Sequence, residues 1–281
     1  MSRAPWDSDH DRAEAERRLR AAFPHLREVR YFDEGWDLRA FLCDDGWLFR
    51  VPKRPGEVDR IRREVALLKE LRLPVAVPRY EHFDGAIGGY RMLPGTTGSG
   101  REAPASFPRA FGAAMRALHD FLPSTRLPVH DATPAQTLTA PMRELEDAAP
   151  FMDPALLVRC RAVLDVEAPP PYDGPAVLTH SDLFPEHVLL DGDLLSGLID
   201  WGDAGWGDPA WDFAICFFWG GDALLRETLR HYGGPRGVAD RARVEQLLHL
   251  AAHRRVAVVE RDGAAAPGAA QLGEDAPAAL A

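Results

Sequence analysis

Between Ala176 and Asp200 the chain alternates short apolar runs with polar punctuation. Ala176-Val177-Leu178-Thr179 leads into His180, which predicts a buried strand or its end. His187-Val188-Leu189-Leu190 and Leu194 to Asp200 flank Asp191-Gly192-Asp193. Asp-Gly between two apolar runs is a strong hairpin signal. Such a hairpin puts His187, opening one strand, and Asp200, closing the other, at the same open end. Asp182 falls in the loop just before that end. Three polar residues that the sequence separates therefore converge.

The N-terminal third reads as a β-rich unit with one long helix. Tyr31 to Leu42 gives strand, turn around Gly35, and strand, and Trp47 to Lys53 gives a β run ending in basic residues. Gly35 allows a close approach to phosphates, though an ordinary hairpin turn explains it equally well. From Glu57 to Leu71, the residues Val58, Ile61, Val65, Leu68 and Leu71 recur at helical spacing. Glu64 lies on that stripe, and a carboxylate on a buried face needs a partner. A basic residue of the preceding strand is the candidate: Arg50 is favoured and Lys53 competes. Strand alternation keeps the two from facing a cleft in the same way.

Further on, Tyr90 to Gly95 reads as a hinge and Thr96 to Ala105 as a linker. Phe107, Phe111, Ala114, Leu118 and Phe121 form the stripe of another helix, and Phe213 to Trp219 predicts a buried one. The Ala/Gly/Pro-rich stretch from Gly263 to Ala281 is expected to fray.

Composition narrows the class. A chain of 281 residues can bury a substantial core. Cys43, Cys160 and Cys216 are far apart in mostly apolar surroundings, the pattern of buried thiols in a reducing compartment. The N-terminus has no apolar signal region and no run reaches membrane-spanning length, so a cytoplasmic monomer is expected. A net charge of −10 argues against nucleic acid as a partner. It suits a cationic small molecule, with Asp203, Asp208, Asp222 and Glu227 available to line an acidic cleft, although a solvated surface explains each of them as readily.

The chemistry follows from the residue types at the hairpin's open end. Transfer of a γ-phosphoryl group needs Mg²⁺ on the phosphates and a carboxylate to orient the attacking hydroxyl and take its proton. Asp182 suits the second role and Asp200 the first, because Mg²⁺ prefers oxygen ligands.

His180-Ser181-Asp182, Ile199-Asp200-Trp201 and Asp208-Pro209-Ala210-Trp211-Asp212 together resemble the aminoglycoside phosphotransferase-like kinases. Weaker resemblance runs from Tyr31 to Phe218. One departure narrows the match: His187 stands where the family usually has a metal-binding Asn. The 2″-aminoglycoside and macrolide 2′-phosphotransferases resemble this chain in carrying His there. An imidazole binds metal only when neutral, so metal affinity is expected to weaken in acid.

The resemblance implies an α+β, bilobal protein-kinase-like fold, with a small β-rich N-lobe (residues 1–93), a larger mainly helical C-lobe (94–262) and a tail (263–281). It implies ATP or GTP as donor and a hydroxylated antibiotic or other metabolite as acceptor. Asp182 would be the base, and His187 and Asp200 the Mg²⁺ ligands. Arg50 or Lys53, Glu64, Gly35 and hinge residue Met92 would hold the nucleotide, and Asp212 would brace the catalytic loop. Two other readings fit less well. A protein kinase would need a long activation segment, but only eight positions separate Asp200 from Asp208. A nucleotide-binding pseudokinase sits poorly with the retention of Asp182, His187 and Asp200.

Overall fold

The computed structural model describes residues 9–35, 37–130, 149, 157, 158, 161, 172–234 and 237–242. An N-terminal helix α1 (Asp9–Ala22) precedes three antiparallel strands, β1 (Val29–Glu34), β2 (Leu38–Cys43) and β3 (Trp47–Pro52). Helix α2 (Val58–Glu70) follows, then β4 (Tyr80–Phe83) and β5 (Gly88–Arg91) complete a sheet in the order β1-β2-β3-β5-β4. This is the small lobe of an α+β bilobal kinase-like fold.

Alternation along β3 divides its side chains between two layers. Phe49 and Val51 are fully buried against Ala15, Leu19 and Phe23 of the α1 region. Arg50, between them, faces the opposite side, toward α2. Pro52 ends the strand, and Lys53 lies beyond it with its N–H donated to the Asp37 carbonyl at 2.8 Å.

The helical stripe expected in α2 is present, with Ile61, Leu67, Leu68 and the following Leu71 buried. Val65 is only half-buried, and Glu64 takes the more central place at 1% exposure. Leu67, Leu68 and Leu71 pack into the core of the second lobe, beside Phe111, Met115 and Leu118. Helix α2 is thus shared between lobes.

The chain passes through Gly95, whose φ of +107° and closeness to Ser196 and Leu190 exclude a side chain. The segment read as linker is partly ordered: Thr96–Thr97 forms β6 and pairs with the later hairpin, because its backbone groups cap an otherwise open sheet edge. Helix α3 (Phe107–His119) then opens the C-lobe. Strand β7 (Val177–Thr179) leads to the predicted hairpin, β8 (Val188–Asp191) and β9 (Leu194–Leu198), turning at Gly192 with φ +59°. Strand β10 (Gly205–Gly207) pairs antiparallel with β7.

The apolar run after Asp212 forms α4 (Ala214–Tyr232), preceded by a 3₁₀ segment, Pro209–Phe213. Gly220 and Gly221 break the helical geometry of α4, so it bends where two residues lack side chains. Asp212 therefore lies inside the 3₁₀ segment and does not cap α4. Asp208 is the cap of that segment, accepting from the Ala210 N–H at 2.9 Å. Cys43 and Cys216 are free, buried thiols, pushed up to about 11 and about 12 by burial. Cys160 and the predicted tail lie outside the described residues.

Candidate active site

Two non-glycine residues among those described adopt left-handed backbone: Ser181 at φ +71° and Asp200 at φ +65°. Such positions cost free energy and persist only where their surroundings hold them. Asp212, fully buried, supplies the hold at Ser181: its two carboxylate oxygens accept from the His180 and Ser181 N–H groups, each at 2.9 Å. The Thr179 and Ser181 hydroxyls add a contact at 2.7 Å. The turn after His180 is thereby set, and with it the path of the chain into Asp182.

Asp212 is itself held by a residue the sequence pattern did not single out. His119, at the end of α3, lies with Nε2 3.0 Å from Asp212 Oδ2 and Nδ1 2.8 Å from the Tyr232 hydroxyl. A carboxylate only accepts, so Nε2–H donates to Asp212, and Nδ1 shares a hydrogen bond with the Tyr232 hydroxyl.

His187 and Asp200 meet at the hairpin's open end, beside Asp182. His187 closes a 3₁₀ turn, Pro185–His187, immediately before β8, and its carbonyl accepts from the Ile199 N–H at 3.0 Å. Its Nδ1–H donates to the Asp182 carbonyl, and its Nε2 is turned toward Asp200. Nε2 lies 3.8 Å from Asp200 Oδ2, and Nδ1 3.7 Å from Asp182 Oδ2.

Arg50 crosses between the lobes. Its Nη1 lies 2.6 Å from Glu64 Oε1 and its Nη2 2.6 Å from Asp200 Oδ1. Tyr80 donates to the same Glu64 oxygen at 3.0 Å, while Glu64 Oε2 is buried without a partner. Of the two basic residues considered, Arg50 makes the pair with Glu64.

These contacts separate the two cleft carboxylates. Burial raises Asp182 to about 6; Asp200, Asp203 and Glu186 add to the rise, and His187 opposes it. Burial also works against the charge on Asp200, but Arg50 and then His187 outweigh it and hold that carboxyl far below the usual range. One carboxylate is poised to exchange a proton near neutrality, and the other stays charged.

The remaining expected residues are less engaged. Gly35 donates its N–H to the Leu38 carbonyl at 3.0 Å, and the space where a Cβ would project is open. Met92 is 45% exposed, and its N–H is already donated to the Gly46 carbonyl at 2.9 Å. The four acidic residues considered for a cationic cleft each have a cation of this chain: Asp203 with Arg60, Asp208 with Arg241, Asp222 with Arg226, and Glu227 with Arg230. Their charge is balanced locally, which weakens them as a lining for a cationic acceptor.

A divalent cation fits the pair of ligands present. Asp200 Oδ2 and His187 Nε2 face each other, and Arg50 occupies the other Asp200 oxygen. No group of three or more His, Cys, Asp or Glu that could hold a metal ion occurs among the described residues. Two protein ligands suit Mg²⁺, which takes the rest of its shell from substrate phosphates and water.

Residues 28–247 match the family model of the APH phosphotransferase enzyme family. The chain belongs to that phosphotransferase family. Its fold is similar to the GDP complex of wild-type aminoglycoside 2′-phosphotransferase-IIIa, with a TM-score of 0.71 and 22% identity over 95% of this chain and 96% of the other. It is also similar to macrolide 2′-phosphotransferase MphH from Brachybacterium faecium, with a TM-score of 0.62 and 27% identity over 95% and 98%. Among curated relatives, the homoserine kinase of Nitrobacter hamburgensis is 39% identical over 111 residues, 38% of this phosphotransferase and 33% of the relative. The chain thus spans about a third of the length of that relative. No helix among the described residues is long and apolar enough to cross a membrane.

Proposed function

We propose that this phosphotransferase moves the γ-phosphoryl group of ATP or GTP to a hydroxyl of an aminoglycoside or macrolide-type antibiotic. One observation carries the reading: Asp182, His187 and Asp200 gather at one cleft mouth, with His187 within 4 Å of both carboxylates and Arg50 linking Asp200 to Glu64. The two antibiotic phosphotransferases similar in fold support the acceptor class.

Asp182 orients the acceptor hydroxyl and takes its proton, a role matched to a carboxyl raised to about 6. Arg50, fixed by Glu64, presents its guanidinium to the donor phosphates. Asp200 and His187 hold Mg²⁺, which supplies charge stabilisation to the transferring group when bound. Gly35 would approach the phosphates and Met92 the nucleotide's base. The lobe boundary falls near residue 93, and the protein acts as a cytoplasmic monomer.

The local identity to homoserine kinases favours a second acceptor class, a small hydroxylated amino acid. One experiment separates the two. Purified protein with Mg²⁺ and either ATP or GTP is assayed for nucleoside diphosphate release against an aminoglycoside, a macrolide and homoserine. Acceptor-dependent turnover with an antibiotic, lost in Asp182→Ala, is the expected result. Turnover with homoserine alone transfers the assignment to the amino acid. Turnover with none of the three defeats both readings.

A further inference from the structure

Arg60 stands in the first turn of α2 and reaches in two directions. Its Nη1 pairs with Asp37 in the β1–β2 turn, and its Nη2 pairs with Asp203, three residues beyond Asp200. Glu57 lies 3.9 Å from the same Nη1, and Arg54 holds the other Asp37 oxygen at 2.6 Å. Burial, resisted first by Arg60, raises Asp37 above the ordinary carboxylate range. A Cβ at Gly202 would meet Arg60 Nε at 3.0 Å, so the guanidinium lies against the backbone of the loop that follows Asp200.

The other end of α2 is already fastened to the C-lobe. Leu67, Leu68 and Leu71 belong to the large core, and Glu70 accepts from the Ser124 N–H and from the Ser124 and Thr125 hydroxyls, each at 2.8 Å. The helix is therefore a fixed post. The β1–β2 turn is joined to this post by the Asp37–Arg60 pair, and to the end of β3 by the Lys53 N–H donated to the Asp37 carbonyl. Without Arg60, the Asp37 and Asp203 carboxylates would lose their shared counter-charge and repel each other across the cleft mouth.

We infer that Arg60 is a positioning residue that fastens the β1–β2 turn to the Asp200 loop and so slows release of the nucleotide. This inference rests on the nucleotide-binding reading above. Arg60 acts through the two carboxylates that consume its guanidinium. A direct phosphate contact would predict the opposite effect of removing Asp203, because a freed arginine would bind phosphate more tightly.

The test follows release of an N-methylanthraniloyl-labelled GDP or ADP from the full chain by stopped flow. Arg60→Ala and Asp203→Asn are each expected to speed release about three- to fivefold, the range set by partly exposed ion pairs. The double variant should be no faster than either single one, because both remove the same link. Arg60→Lys should recover part of the effect, and added salt should narrow the gap between wild type and Arg60→Ala. Release at the wild-type rate in Arg60→Ala, slower release in Asp203→Asn, or additive effects in the double variant would each overturn the inference while leaving nucleotide binding intact. A wild-type protein that binds neither labelled nucleotide removes the underlying reading and the inference with it. If Arg60→Ala fails to fold, Arg60→Gln is measured in its place against the same outcomes.

Discussion

Arg50 Nη2 lies 2.6 Å from Asp200 Oδ1, so a strand of the small lobe grips the loop of the large one. The same guanidinium holds Glu64, which lies fully buried in α2. Three elements meet on one planar, permanently charged group. Arginine suits this place because its fork offers separate donors to two carboxylates, whereas an ammonium is a single point charge. The arrangement also matches the split between the cleft carboxylates. Arg50 keeps Asp200 ionised, and Asp182, beyond its reach, is left to titrate.

Arg50→Met should destabilise the protein by about 3–5 kcal/mol, because Glu64 is then buried with only the Tyr80 hydroxyl for support. The double variant Arg50→Met/Glu64→Leu should recover most of that loss, since a buried ion pair is readily replaced by apolar groups of similar volume. Neither variant should regain activity. Urea unfolding beside turnover assays reads both effects. A double variant as unstable as the single one would show that the stranded Glu64 charge is not the source of the loss.

Asp182 gives a pH dependence with a definite sign. In its proposed role as base it must be ionised, so kcat/KM should fall as the pH drops through about 6. Stability runs the other way. The folded-state value lies above the ordinary value of 3.8, so the folded state binds more protons between those two values and loses stability as pH rises through that window. Asp182→Asn should therefore raise the melting midpoint at pH 8, and the advantage should vanish below about pH 4. Activity in that variant should fall about 10²- to 10⁴-fold. Melting curves at the two pH values check the stability half independently of turnover.

His187 should shape metal choice. An imidazole beside one carboxylate suits Mn²⁺ better than it suits Mg²⁺, which prefers oxygen ligands. His187→Asn should lower the ratio of Mn²⁺- to Mg²⁺-supported turnover while keeping activity. His187→Leu should raise the metal concentration needed for half-maximal nucleotide binding by about tenfold or more. Equal metal ratios in wild type and His187→Asn would remove His187 from the ligand set.

Much of this site was legible in the sequence where local pattern decides geometry. The Asp-Gly turn brought His187 and Asp200 together, and the helical stripe placed Glu64 on a buried face opposite Arg50. Other features left no periodic trace. Helix α1 is mostly charged, and among its residues of described burial only Ala15 and Leu19 are buried, so its apolar stripe is thin. Strand β5 begins Gly-Gly, a poor strand signal, and the rings of Tyr80 and Phe49 fill the space that side chains at Gly88 and Gly89 would need. Links such as Arg60 to Asp203 and His119 to Asp212 join distant segments, and charge or polarity alone does not name the partner. The role of Asp212 was expected from resemblance, but its place within a 3₁₀ segment was not, because Pro209 and Trp211 obscure where α4 starts.

His119 offers a way to test whether catalytic-loop geometry depends on the large lobe's core. It gives Asp212 a third hydrogen bond, beside those from the His180 and Ser181 N–H groups. His119→Phe keeps a ring of similar size among Phe213 and Tyr232 but removes the bonds to Asp212 and to the Tyr232 hydroxyl. A buried partner lost in this way costs about 1–3 kcal/mol, which urea unfolding would read. The kinetic effect should fall on kcat, because Asp212 sets the left-handed turn that aims Asp182. The nucleotide KM should hold, because Arg50, Glu64 and Asp200 do not touch His119. His119→Gln, with a donor able to reach the carboxylate, should restore part of kcat. A fall in stability with kcat unchanged would make His119 a packing residue whose bond to Asp212 does not reach the chemistry.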